Sequence, residues 1–199
     1  MKTNSEIRAL ARQSLSGNWT MPVIVTLLLF MLSVVSGIIP YIGFLLSVFV
    51  VMPITFSVEQ LFLRFARGDK NGLVGKMFDC FNCYGRALGT KLLTTIFIFL
   101  WSLLLFIPGI IKSYSYAMTY YIALDNPELG ANECIERSMK MMKGHKGKLF
   151  LLDLSFIGWI LLALLTLGIG LLWVNPYMKT ARSHFYEELK AAEAAVPAE

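Results

Sequence analysis

The sequence predicts an all-α integral membrane protein: six membrane-embedded helices paired as three Gly/Pro-turned hairpins, each hairpin preceded by a short amphipathic helix. Three observations carry this. The 199 residues are 56% hydrophobic and only 16% charged, with a mean hydropathy of +0.62, whereas an ordinary soluble domain is about 25% charged. Gly/Pro breaks recur in register along the apolar blocks. Finally, Lys and Arg gather on the segments that such hairpins would leave on one side of the bilayer.

Four apolar blocks, residues 19–39, 41–63, 92–111 and 149–174, hold Glu59 and Asp153 as their only acids. Crossing a hydrocarbon core of roughly 30 Å takes about 20 helical residues. The last block exceeds one crossing and contains the break Thr166-Leu167-Gly168-Ile169-Gly170. Comparable breaks are Gly37-Ile38-Ile39-Pro40-Tyr41-Ile42-Gly43 and Ile107-Pro108-Gly109-Ile110-Ile111, and Gly with Pro signals a turn. Aligning the breaks reveals a repeat within a single membrane domain spanning 1–199, with units of roughly 4–68, 72–125 and 131–190 and a polar tail at 191–199. Each unit has a polar amphipathic segment (5–16, 73–85, 132–143), an apolar arm, the turn, and a second arm (41–65, 110–124, 171–189).

Three such hairpins leave both termini and the segments around 64–91 and 125–148 on one side, together with every Lys and Arg except Lys112. One crossing per apolar block would instead export Arg137, Lys140, Lys143, Lys146 and Lys148, against the positive-inside rule. The N-terminus is not expected to be a signal peptide. Residues 1–18 are polar, carry Lys2, Glu6, Arg8 and Arg12, and no small-residue cleavage site ends the apolar run that follows. The net charge of +5 reads as cytoplasmic-loop charge rather than as a nucleic-acid surface.

The second arm of the middle unit is short and rich in hydroxyls. At 100° per residue Lys112, Ser115, Tyr116 and Thr119 share one stripe, and Ile111, Met118 and Ile122 another, so the polar stripe is expected to face protein or water. In the third amphipathic segment Ile135, Met139 and Met142 oppose Glu136, Lys140 and Lys143; in the second, Leu73, Met77, Phe81, Tyr84 and Leu88 oppose Lys76, Asp79, Asn82 and Arg86. Such helices either lie in the headgroup region or cap the inner end of the bundle. Asn126-Pro127-Glu128 reads as a helix start.

Several of these stretches resemble a known family. Residues 107–114 (Ile-Pro-Gly-Ile-Ile-Lys-Ser-Tyr), Asp125-Asn126-Pro127, Met142-Lys143-Gly144-His145-Lys146, residues 154–159 (Leu-Ser-Phe-Ile-Gly-Trp), Gly168-Ile169-Gly170 and Pro176-Tyr177 follow in order, with Gly17-Asn18-Trp19 at the front and Phe185-Tyr186 near the end. Together they resemble the bacterial integral membrane family catalogued as domain of unknown function 975. The resemblance implies a multi-helix protein of the bacterial cytoplasmic membrane and brings no activity, cofactor or site residue with it. A looser likeness, in the broken hairpins alone, is to the membrane domain attached to some glycerophosphodiester phosphodiesterases.

Asp153 is the most informative acid, since a carboxylate inside an apolar arm is costly and suggests ion, proton or ligand handling, or else structural hydrogen bonding near the interface. Lys112 lies some 18 Å from it in depth. Lys148, Thr119, Tyr120 or Tyr121 is the better-placed partner; Asp153, Lys112, Ser115, Thr119 and Tyr120 are the polar candidates. The cluster Lys143, His145, Lys146 and Lys148 suits anionic lipid headgroups, though it also serves as flanking charge for the next helix. Cys80 and Cys83 with Cys134 and His145 lack the second ligand pair of a zinc site, and packing is favoured. No HExxH, GxSxG or kinase-like set occurs, so neither catalysis, metal nor cofactor is expected. The expected role is an accessory, regulatory or protective envelope component that binds a membrane partner or lipid, or a second copy of itself. A small permease or lipid-handling carrier is the alternative, suggested by the repeated broken helices.

Overall fold

The computed structural model describes residues 1–38, 41–69, 84–104 and 106–194, and within them every regular element is helical. Helix α1 (Asn4–Leu15) opens with a capping box, in which the Glu6 amide donates to Thr3 Oγ1 and the Thr3 amide donates to the Glu6 carboxylate at 2.6 Å. Its Ile7, Ala11 and Leu15 repeat every fourth position and are fully buried. Next come α2 (Thr20–Ile38) and α3 (Ile42–Ala66), the latter with a π-helical turn at Ser47–Val51. Then come α4 (Tyr84–Leu104), α5 (Phe106–Ser115), α6 (Thr119–Asp125) and α7 (Ala131–Met141). Helix α8 (Lys146–Leu165), with a turn at Ser155 and Phe156, and α9 (Leu171–Ala194) complete the chain.

Among the described residues four helices, α2, α3, α4 and α8, are long and apolar enough to cross a membrane. The arms at 106–125 and 171–194 do not meet that measure: the first is broken in two, and the second turns polar from Lys179 onward. Toward residues 38–42, 103–108 and 165–170 the helices are inside out, with Phe30, Leu103, Leu161 and Leu165 exposed and Leu167 95% exposed. Core aromatics such as Phe62, Phe65, Phe185 and Tyr186 gather at the other end.

Side-chain contacts join two sets of helices that follow one another in the chain. Along α4 and the returning α5 and α6, Lys112 Nζ stands 4.6 Å from the Trp101 ring, Phe97 lies 6.4 Å from Tyr116, and Arg86 donates to the carbonyls of Ala123 and Asn126. Between α8 and α9, Phe156 meets Tyr177 edge-on at 5.0 Å and Asp153 meets Arg182. Every unit also has one glycine seated on its first arm. A Cβ on Gly43 would strike the Ser36 carbonyl, one on Gly109 would lie 2.8 Å from Ser102 Cα, and one on Gly170 would lie 2.8 Å from Ala163 Cα. In all three cases the glycine follows the small residue by seven positions.

Several boundaries differ from the sequence reading. Helix α2 runs through Gly37, and α5 takes in Pro108 and Gly109, which had read as turn. Proline is tolerated there because the first-turn amides have no helical acceptor. The turn at Thr166–Gly170 stands as read, with Leu167 and Gly168 at positive φ. Residues 110–124 form two helices rather than one, and Ser138 of α7 fills the break: its hydroxyl donates to the Ser115 carbonyl at 2.8 Å and accepts from the Met118 amide at 3.2 Å. Asn126-Pro127-Glu128 is a turn that ends α6, not a helix start; the Asn126 side chain donates back to the Ile122 carbonyl. Helix α7 begins instead at Ala131, with the Gly130 amide donating to Glu133.

Helices α1 and α7 pack on the bundle. Lys2 pairs with Glu188, Ser14 meets His184 at 2.9 Å, the Tyr177 hydroxyl donates to the Arg8 carbonyl, and Cys134, Ile135 and Met142 are buried. The segment at 73–85 falls outside the described residues up to Tyr84, and so do Cys80 and Cys83. At the same end Asp125 accepts from Arg67 at 2.6 Å, Lys190 at 2.7 Å and Tyr186 at 3.2 Å, while Arg67 also holds Glu187. Burial works against the Asp125 carboxylate, but the Arg67 and Lys190 hydrogen bonds outweigh it and hold its pKa below the usual value. A depressed carboxyl pKa contributes stability that is present above the unfolded-state value of about 3.9 and fades as pH falls through the lower folded value. Acidification below about pH 4 is therefore expected to loosen the end of α9 from α3 and α6. The check is amide exchange at residues 186–190, which Asp125→Asn should raise already at neutral pH.

Candidate interior charge site

Charged side chains from four helices converge inside the bundle. Glu59 projects from α3, Lys91 from α4, Asp153 from α8, and Lys179 and Arg182 from α9, where a three-residue spacing puts both cations on one face. Lys179 Nζ donates to Glu59 Oε1 at 2.6 Å, and the Tyr121 hydroxyl donates to Glu59 Oε2 at 3.2 Å. Arg182 grips Asp153 with both prongs, Nε at 3.1 Å and a terminal nitrogen at 2.8 Å, and Tyr114 adds a hydroxyl at 3.2 Å. This fork-to-carboxylate geometry is the strong form of such a pair. Lys91 Nζ sits 3.5 Å from the Tyr120 ring centroid, a cation–π contact.

A cavity of about 390 Å³ opens beside these groups, lined by Tyr114, Tyr116, Tyr120, Tyr121, Glu59 and Arg182 among others. A second, of about 140 Å³, touches Glu59, Asn175, Lys179 and Arg182. Tyrosine faces and hydroxyls beside a guanidinium suit an anionic or amphipathic guest. Both carboxylates are engaged by cations. Among the described residues no group of three His, Cys, Asp or Glu side chains is placed to hold a metal.

The candidates read from sequence are only partly gathered here. Asp153 and Tyr120 belong to the cluster, but the partner of Asp153 is Arg182 with Tyr114, not Lys148, Thr119, Tyr120 or Tyr121. The guanidinium reaches from the last arm because α8 and α9 pair side by side. Lys112 stands apart on Trp101. Ser115 is buried and donates to the Ile111 carbonyl, and Thr119 is buried with no hydrogen-bond partner for its hydroxyl among the described residues. Lys143 is exposed, His145, Lys146 and Lys148 are half-buried, and the Lys148 carbonyl accepts from Asn4. Lys91, Lys179, Arg182 and Tyr114 were not singled out by sequence reasoning. The signal for two of them was available: Lys179 and Arg182 share a helix face with Asn175 directly after an apolar run.

The comparison with known families decides the classification. The family model described as "Protein of unknown function (DUF975)" matches residues 1–111 and 102–193. The chain belongs to this family. No curated protein and no solved structure matches it. The match agrees with the resemblance carried by Ile107-Pro108-Gly109 and the motifs after it. Family membership adds no activity to the DUF975 chain, so its function is argued from its interior.

Proposed function

We propose that this DUF975 member is a non-enzymatic integral protein of the bacterial cytoplasmic membrane. It embeds six helices as three hairpins with both termini cytoplasmic, and it serves as an accessory, regulatory or protective envelope component that binds a lipid or a membrane partner. The observation that carries the binding reading is the interior cluster, three cations facing two carboxylates beside tyrosine-lined cavities. Charges held in an apolar bundle are expensive, and their commonest justification is a ligand or ion. Support for the one-sided arrangement comes from Asn4 meeting Lys148 and from Asp125 meeting both Arg67 and Lys190, contacts that join the open ends of the hairpins to the N-terminus. Lys143 and its basic neighbours then lie where anionic headgroups are. Neither cofactor nor nucleic acid enters this reading.

A second reading, a small permease or lipid-handling carrier, is favoured by one observation. Counted from the glycine contacts, Lys179, Asp153, Lys91 and Arg182 lie nine to twelve residues from the hairpin turns, which is about 14–18 Å along a helix and near the middle of a roughly 30 Å core. Carriers place their sites at that depth. Mass spectrometry of the chain released gently from its own membrane tests the two. A stoichiometric second protein or an additional copy supports the accessory role. A retained lipid or small amphiphile, lost on Arg182→Gln, supports the carrier, and a bare monomer under conditions that keep other complexes intact removes both.

A further inference from the structure

A lateral groove of about 660 Å³ separates α2 from α9, walled by Leu29, Phe30, Leu167, Ile169 and Leu172 and ending at Asn175 and Lys179. Its other polar groups are self-satisfied: Thr26 donates to the Pro22 carbonyl at 2.9 Å, Ser33 to Leu29 at 2.8 Å and Thr55 to Met52 at 2.6 Å. Asn175 differs. It is exposed on the apolar part of α9, five residues past the Gly170 turn, and among the described residues its amide makes no hydrogen bond. An amide facing hydrocarbon without a partner is disfavoured. One helical turn on, Lys179 presents its ammonium to the same groove while holding Glu59. Among the described residues Lys91, Lys179 and Arg182 share Glu59 and Asp153 as counter-charges, so the cluster that Lys179 joins to the groove carries a net charge of +1, in a medium where a counter-anion is strongly favoured.

We propose that this groove binds one long-chain monocarboxylate, a fatty acid or an acid of similar shape, with its carboxylate between the Asn175 amide and the Lys179 ammonium and its chain running along the groove toward Leu167. The net charge of +1 on the cluster, shared through Lys179, matches a monoanion. A slot between two helices takes one chain, and the volume lies within the roughly 300–1,000 Å³ of ordinary ligand sites. Asn175 and Lys179 also line the small cavity that leads to Glu59 and Arg182, so the carboxylate would meet the interior cluster directly. The inference rests on the lipid-binding reading above and names its ligand class.

The test uses the full chain in phosphatidylcholine nanodiscs with radiolabelled palmitate as probe. Saturable binding of one palmitate per chain is expected, with hexadecanol, which keeps the chain but not the charge, competing at least tenfold more weakly. Asn175→Leu changes an exposed side chain, so it should leave the melting temperature unchanged and weaken palmitate at least fivefold. Leu172→Trp fills the groove and should abolish binding. Equal competition by hexadecanol, or full palmitate affinity in Asn175→Leu, overturns the proposal. If palmitate does not bind while the chain still retains a two-chain phospholipid, the groove assignment falls and the lipid-binding reading stands. If no lipid of any kind is retained, both fall.

Discussion

Replacing Glu59 with leucine is expected to cost about 3–5 kcal/mol, the range for removing one partner of an enclosed ion pair. The carboxylate takes a 2.6 Å bond from Lys179 and a hydroxyl from Tyr121, and it stands between Lys179 and the Lys91 and Arg182 charges. Without it those three cations share a single counter-charge, Asp153. The melting temperature in nanodiscs should fall by many degrees. Lys179→Met is expected to be nearly as harmful, because it strands the carboxylate instead. The double substitution Glu59→Leu with Lys179→Met should recover much of the loss, since a packed apolar pair replaces a buried ionic one at little net cost. Additive losses would mean that the two groups do not act as a pair.

The second large effect is expected at the hairpin glycines. Gly170→Ala puts a methyl 2.8 Å from Ala163 Cα, and Gly109→Ala puts one 2.8 Å from Ser102 Cα, whereas Gly43→Ala drives it into the Ser36 carbonyl. Overpacking of this kind costs about 1–3 kcal/mol. Gly43 should be the most sensitive of the three, because a carbonyl inside a helix cannot rotate away as a side chain can. Gly158 is the control. A Cβ there meets nothing within 4 Å, so Gly158→Ala should be neutral or stabilising by about 0.5–1 kcal/mol through helix propensity. Thermal aggregation midpoints of the four variants in one detergent give the ranking directly, and equal midpoints for Gly43→Ala and Gly158→Ala would refute it.

The all-helical class and the presence of helices apolar enough to cross a membrane were legible from the sequence because long apolar blocks are a local signal. The amphipathic segment at 132–143 announced its apolar face through Ile135, Met139 and Met142 at helical spacing, and of these Ile135 and Met142 are buried. The break at Tyr116–Met118 was hidden because its hydrogen bonds are completed by Ser138, which is distant in sequence and could not be assigned to it. Pro108 and Gly109 misled for a related reason. They are turn residues by propensity, yet in the first turn of α5 proline is harmless and glycine is required by its contact with Ser102. The interior cluster was half visible. Asp153 stood out as an acid in an apolar arm, but Arg182 lies 29 positions later, near the polar end of the arm at 171–189. Only the side-by-side pairing of α8 and α9 brings it into reach.

The seven-residue interval between Ser36 and Gly43, between Ser102 and Gly109, and between Ala163 and Gly170 bears on how the chain enters the bilayer. The residues between the members of each pair, 37–42, 103–108 and 164–169, contain no charged side chain. Each tip can therefore pass through hydrocarbon as an apolar point, led by side chains such as Ile38, Ile107 and Leu167, while its two stems close behind it on the glycine contact. In the three-hairpin arrangement proposed above, both feet of every hairpin would stay on the face where the ribosome delivers them, and Lys112 would be the one full charge drawn in close behind a tip. Under that proposal insertion would proceed as three similar events in chain order, with the ion pairs of Glu59 and Asp153 forming only after α9 arrives with Lys179 and Arg182.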